Sequence, residues 1–175
     1  MVSKLLLAVQ ENIFKAEKLG DSANVKKLTE SYYEVRAGLG YNKAPELYGA
    51  FPFDPYSHTP SGQGAKQPGM TGQVKEEVLT RFGELGVLIE DGKASFAPVI
   101  LQEGEIRKDG SLSFTWCGVP VTYKFKSGIP TTLADAQKAK ISVNGKAREG
   151  NSLTTEESSA LFQREGKITA IEVEF

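Results

Sequence analysis

The chain has 175 residues, of which 39% are hydrophobic and 25% charged, a globular composition that allows one ordinary domain or two small ones. Lys and Arg total 21 against 22 Asp and Glu, a net charge of −1, which argues against a dedicated nucleic-acid or membrane-surface binder because both need a concentrated positive field. One cysteine, Cys117, excludes an internal disulfide and any multi-cysteine metal site, and one histidine, His58, excludes a two-His zinc site.

The first helix is expected over residues 3–19. Leu6, Val9, Ile13 and Ala16 recur at helical spacing, and Leu5 and Phe14 widen the stripe. The apolar run from Leu5 to Val9 ends at Gln10 and Glu11, too short to span a bilayer, and no small-residue cleavage site follows promptly. Gly20 stops the helix, and Asp21 or Ser22 caps the next one, expected over residues 23–39. Val25, Leu28, Tyr32, Val35 and Leu39 give it one apolar face. The short link makes the pair an antiparallel hairpin.

Residues 40–72 form a long loop with Pro45, Pro52, Pro55, Pro60 and Pro68. Its aromatics, Tyr41, Tyr48, Phe51, Phe53 and Tyr56, point to an ordered, packed loop rather than disorder. A third helix is expected over residues 72–85, with Val74, Val78, Phe82 and Leu85 on one face and Gly86 as its stop.

Strands follow. Val87 to Glu90 precedes the tight turn Asp91-Gly92, and Ala94 to Leu101 is a strand interrupted by Pro98. Leu112 to Cys117 pairs with Val119 to Phe125, where Val119, Val121, Tyr123 and Phe125 alternate strictly with other residues. Ile141 and Val143 lead into Asn144-Gly145, the strongest short hairpin signal. Thr154 or Thr155 caps a helical turn between Leu153 and Phe162, with Glu157 near the capping-box position. Ile171, Val173 and Phe175 alternate in a last strand. The expected fold is α+β: an N-terminal helical hairpin, long loop and third helix (1–86), then an antiparallel β-sandwich-like domain (87–175).

Chemistry concentrates in the loop. Asp54, Tyr56, Ser57 and His58 lie close together, which invites acid–base work but fixes no geometry; turn hydrogen bonds and packing of His58 on Tyr56 explain them as well. Tyr48, Phe51, Phe53 and Tyr56 beside Asp54, Gln63 and Gln67 suit a sugar, whose C–H face stacks on rings and whose hydroxyls need polar partners. Gln67 through Thr71 and Gly72 lead into a helix start, which accepts a phosphate or carboxylate or simply uses Thr71 as N-cap. It lacks the Gly-Lys-[Ser/Thr] ending of a Walker loop. Glu76 and Glu77 read as first-turn charges favoured by the helix dipole, Cys117 as a buried strand thiol, and Trp116 as core or interface. No catalytic residue, cofactor or metal ligand is assigned.

Thr71-Gly72-Gln73-Val74 through Leu85-Gly86-Val87, then Phe96-Ala97-Pro98, then Ile141 to Lys146 and the strand from Ile168 to Phe175, resemble the C-terminal part of inverting sugar phosphorylases such as cellobiose phosphorylase. Those enzymes have an (α/α)6 barrel followed by a small β-sandwich. The resemblance implies a C-terminal, non-catalytic portion of a glycoside hydrolase or phosphorylase, with Gln67, Thr71 and Gly72, and His58 in a similar role, lining a saccharide site beside the loop residues Asp54 and Tyr56. It implies a saccharide ligand, with phosphate as a second candidate, and a missing N-terminal catalytic region; the apolar stripes of the first two helices, which call for a covering surface, give a homodimer as the alternative partner. The location, cytoplasmic or periplasmic, stays open. The family's Ser-Ala-x-Trp continuation after Thr-Gly is replaced here by Gln73-Val74-Lys75-Glu76, so hydrolysis and phosphorolysis stay equal alternatives. The other reading is a stand-alone binding or scaffold protein.

Overall fold

The computed structural model describes residues 2–38 and 74–175. The fold is α+β. The chain divides into two compact units, Met1–Arg81 and Phe82–Phe175, a boundary that falls inside the third helix.

In the first unit, α1 (Val2–Leu19) and α2 (Ser22–Gly38) form the expected hairpin. The turn between them is built as its residues dictate. Gly20 takes a left-handed φ of 71°, its N–H donates to the Glu17 carbonyl, and the Asp21 N–H donates to the Ala16 carbonyl, so two orphan carbonyls of α1 are satisfied. Asp21 then caps α2, accepting from the Asn24 N–H at 3.1 Å. Leu6, Ile13, Ala16 and Tyr32 are buried, whereas Val9, Val25, Leu28 and Val35 are only partly covered.

The third helix, α3 (Val74–Glu84), opposes its sequence pattern. Val78, expected on the apolar face with Phe82 and Leu85, is exposed, as is Leu79; Glu76 and Thr80 are buried instead. A side chain every fourth residue shares a face, so a polar face turns inward over Glu76, Thr80 and Glu84, while Phe82 and Leu85 at the helix end pack on the core as expected.

The second unit holds β1 (Val87–Glu90) and β2 (Lys93–Phe96) as a separate two-stranded sheet. A five-stranded sheet contains β3 (Ser111–Trp116), β4 (Val119–Lys124), β5 (Lys140–Val143), β6 (Lys146–Glu149) and β7 (Ile171–Glu174), in the order β3-β4-β7-β5-β6. Between them lie α4 (Leu133–Ala136) and α5 (Thr155–Phe162). Pro98 does not interrupt a longer strand; β2 ends at Phe96, ahead of it.

Among the described residues the three β-hairpins close through two-residue turns, Asp91-Gly92, Cys117-Gly118 and Asn144-Gly145, with positive φ at both positions. That is the type I′ geometry whose twist matches the strands. The sheet is antiparallel except at β4–β7, which run parallel, Val121 opposite Ile171 and Tyr123 opposite Val173. A parallel neighbour needs a long crossover, and the chain supplies one containing α4, the β5–β6 hairpin and α5.

Strand alternation sorts the sheet's two faces. Val121, Tyr123, Ile141, Val143, Ile171 and Val173 are buried in one core with Phe96, Trp116 and Leu161. The other face carries a register row of Lys124, Glu174, Lys140 and Glu149 on successive strands, with alternating sign. Such exposed pairs contribute about 0–1 kcal/mol each, so the row favours register more than stability. Tyr123 is the hub of the core rings, edge-on to Phe96, Phe114, Phe125 and Phe175. Each such pair adds about 0.5–1.5 kcal/mol beyond burial.

Candidate functional site

Asp54, Tyr56, His58, Gln67, Thr71 and Gly72, with the rest of the loop 40–72, lie outside the described residues. The described neighbour of that loop is the first turn of α3, and it differs from expectation. Glu76 is not a solvated dipole charge: it is 4% exposed, and its Oε2 is buried without a hydrogen-bond partner. Leaving a buried acceptor unmade costs roughly 1–3 kcal/mol, more for a charged group. Glu77 sits partly buried beside it, and desolvation, then the neighbouring Glu76 charge, raises its carboxyl above the ordinary value.

One turn further along, the polar face of α3 reaches α1. Gln10 is buried, and its Nε2 donates to the Thr80 carbonyl at 2.7 Å and to the Tyr32 hydroxyl at 3.4 Å. The Thr80 hydroxyl donates back to the Glu77 carbonyl. Gln10, Tyr32 and Thr80 are thus joined in the interior of a helical unit, and Glu76 is buried one turn before Thr80. Hydrophobic periodicity places Gln10 at the end of an apolar run and gives no sign of this.

The exit from α3 is held tightly. Gly86 has a φ of 68°, and its carbonyl accepts from the Ala97 N–H at 2.7 Å. A Cβ added at Gly86 would lie 2.1 Å from the Ala97 carbonyl carbon and 2.2 Å from the Pro98 nitrogen. Only glycine permits that approach. The Tyr123 hydroxyl donates to the Leu85 carbonyl at 2.7 Å, and complete burial pushes its ionisation well above the ordinary tyrosine value, so it stays a donor.

Cys117 corrects a second expectation. It is a turn residue at φ 52°, half-buried rather than a core thiol. Trp116 is in the core, edge-on to Phe96 and to Phe162.

The second unit also carries a half-open cavity of about 390 Å³ between the segment after β4, α4 and Phe175. Ile129, Pro130 and Ala139 give it apolar walls; Thr131, Asp135 and Lys138 are its polar side chains with Ser127. Asp135 accepts from Lys138 Nζ at 2.8 Å on one oxygen and from the Thr131 hydroxyl at 2.9 Å on the other. Lys138, then Thr131 and Thr132, hold its carboxyl down to a pKa of about 2. Composition alone did not expose this cavity, because α4 is a four-residue helix formed around the Thr132 cap rather than a periodic stripe.

Among the described residues no group of three His, Cys, Asp or Glu side chains could hold a metal ion, and no helix is long and apolar enough to cross a membrane. No protein-family model matches the sequence, and no curated protein matches it.

Proposed function

We propose that the chain is the non-catalytic C-terminal portion of a carbohydrate-active enzyme, of glycoside hydrolase or sugar phosphorylase type. Its helices complete a helical barrel, and the loop 40–72 with Asp54, Tyr56, His58, Gln67, Thr71 and Gly72 lines a saccharide site. The observation that carries the reading is the joint at Gly86. The two motifs that resemble the phosphorylases, Leu85-Gly86-Val87 and Phe96-Ala97-Pro98, lie apart in sequence but meet in space through the Ala97–Gly86 hydrogen bond and a contact that only glycine permits. They behave as one structural element, as a shared helix-to-strand exit requires. The partly covered stripes of α1 and α2 and the exposed Val78 and Leu79 of α3 suit a unit that leans on further helices.

Two measurements test it. Reading the gene upstream of the Met1 codon is the first. An open frame running back through further helical hairpins supports the proposal, and an in-frame stop beside a ribosome-binding site overturns it in favour of a stand-alone scaffold. The second is NMR titration with oligosaccharides and with phosphate, following the amides of His58, Gln67 and Thr71. An isolated wall of a site encloses few ligand atoms, so affinity should be about millimolar. Unmoved signals at saturating ligand overturn the saccharide assignment of the loop.

A further inference from the structure

The cavity beside α4 lies in the second unit and is separate in sequence from the loop just discussed. We propose that it is a saccharide subsite, taking two vicinal hydroxyls on Asp135 and Lys138 and the C–H face of the ring against Ile129 and Pro130. The inference stands on the cavity's own chemistry and shares with the proposed function only the class of ligand.

Volume comes first. About 390 Å³ falls within the roughly 300–1,000 Å³ of small-molecule sites, and the walls are apolar with a few convergent polar groups, the usual make-up of such a site. Charge narrows the ligand. Asp135 and Lys138 are already paired at 2.8 Å, so the polar edge is neutral as a whole. A ligand anion at Lys138 would lie beside the Asp135 carboxylate, and a ligand cation at Asp135 beside the ammonium, so neither gains a net attraction. A neutral ligand need break nothing. An ionised carboxylate offers about four acceptor sites; Lys138 and Thr131 fill one on each oxygen, and the Thr132 side chain takes up a third. The ammonium has three protons, one of them given to Asp135. The edge therefore presents a free acceptor and a free donor side by side. A hydroxyl donates and accepts, so two on adjacent carbons can use both members of an ion pair 2.8 Å apart; the remaining ring C–H groups need an apolar wall, which Ile129 and Pro130 give.

The walls are preformed. The Phe175 carbonyl accepts from both the Lys126 and Ser127 N–H groups, which fixes one end of the segment. The Thr132 hydroxyl accepts from the Asp135 N–H at 3.0 Å, which fixes the other. A ligand then meets a shaped surface and orders little on entering.

The experiment uses the full chain, with ¹⁵N amide spectra recorded during titration with methyl glucoside, cellobiose, acetate and methylammonium. The expected result is saturable shifts at Ile129, Thr131 and Lys138 with the sugars, at about millimolar Kd, and none with the two ions. Lys138→Met keeps the α4 cap and removes the donor, so sugar affinity should fall at least about tenfold while the other amides keep their positions. Four outcomes would overturn the inference: no shift with any probe, saturation by an ion in place of the sugars, unchanged affinity in the Lys138→Met variant, or sugar shifts confined to residues 48–72. The last would leave the loop proposal standing, whereas sugar shifts at Ile129 and Thr131 with His58 and Gln67 unmoved would sink the loop proposal and keep this one.

Discussion

Replacing Gly86 by alanine should be the most damaging single-methyl change in the second unit. Two costs combine. The first is conformational: at a φ of 68° an L-residue pays about 1–2 kcal/mol. The second is steric. The new Cβ would sit 2.1 to 2.3 Å from the Ala97 carbonyl and the Pro98 nitrogen, against ordinary contacts of 3.4 to 4 Å. Backbone must move by more than an ångström, and here it is tied down. The Ala97 N–H is bonded to Gly86, the Phe96 N–H to the Asn151 carbonyl, and the Phe96 carbonyl to the Asn151 amide at 2.9 Å. We expect a loss of about 4 kcal/mol or more, a large share of the roughly 5–15 kcal/mol that holds a domain together. The control is Gly145→Ala, at a φ of 80° with nothing within 4 Å, which should lose only the conformational 1–2 kcal/mol. Urea unfolding read by the fluorescence of Trp116 separates them. With a slope of about 2 kcal/mol per molar, Gly86→Ala should lower the midpoint by about 2 M and Gly145→Ala by under 1 M. Equal midpoints for the two variants would refute the argument, because the contact at Ala97 would then carry no cost.

Tyr123→Phe leaves the Leu85 carbonyl buried without its donor, so it should cost about 1–3 kcal/mol in the same unfolding assay although it removes one oxygen. Thr154→Ala breaks a complete capping box, in which Thr154 accepts from the Glu157 N–H and Glu157 accepts from the Thr154 N–H; about 1 kcal/mol should go, with amide exchange at the start of α5 rising first. Glu76→Met replaces a buried acceptor that has no partner, so the first unit should gain about 1–3 kcal/mol, read as slower amide exchange along α1; faster exchange would show that the carboxylate is satisfied in solution. Acid should weaken the second unit. Asp135 is held down to about 2, and Glu157 is also lowered: desolvation, its largest single influence, raises it, but the hydrogen bonds from Arg148 and the Thr154 N–H together with the Arg148 charge outweigh that. A depressed folded pKa contributes stability above the unfolded value, near 4, and loses it as pH falls toward 2. Midpoints in urea should therefore drop between pH 5 and pH 2, and the drop should shrink in Asp135→Asn. Glu77, whose carboxyl is raised, acts with the opposite sign in the first unit.

Local chemistry was legible in the sequence wherever one residue dictates it. Gly20 and Gly86 end helices because they alone accept positive φ without strain, and Asp91-Gly92 and Asn144-Gly145 make hairpin turns for the same reason. The period-two alternation of Val119, Val121 and Tyr123 was enough to bury one face of β4, and Thr154 with Glu157 was enough to start α5. These signals depend on neighbours a few residues away, so no distant contact could alter them. Other features needed the folded chain. The parallel pairing of β4 with β7 joins strands separated by the whole α4-to-α5 crossover, and strand pattern carries no direction. The inward turn of Glu76 and Thr80 ran against periodicity, because Gln10 and Tyr32 on the facing helices supply a polar interior that no local window contains. The α4 cavity depends on Asp135, Lys138 and Thr131 being drawn together around a one-turn helix, beside a residue from the end of β7. Burial and direction are decided by which surfaces meet, and that is a property of the tertiary structure alone.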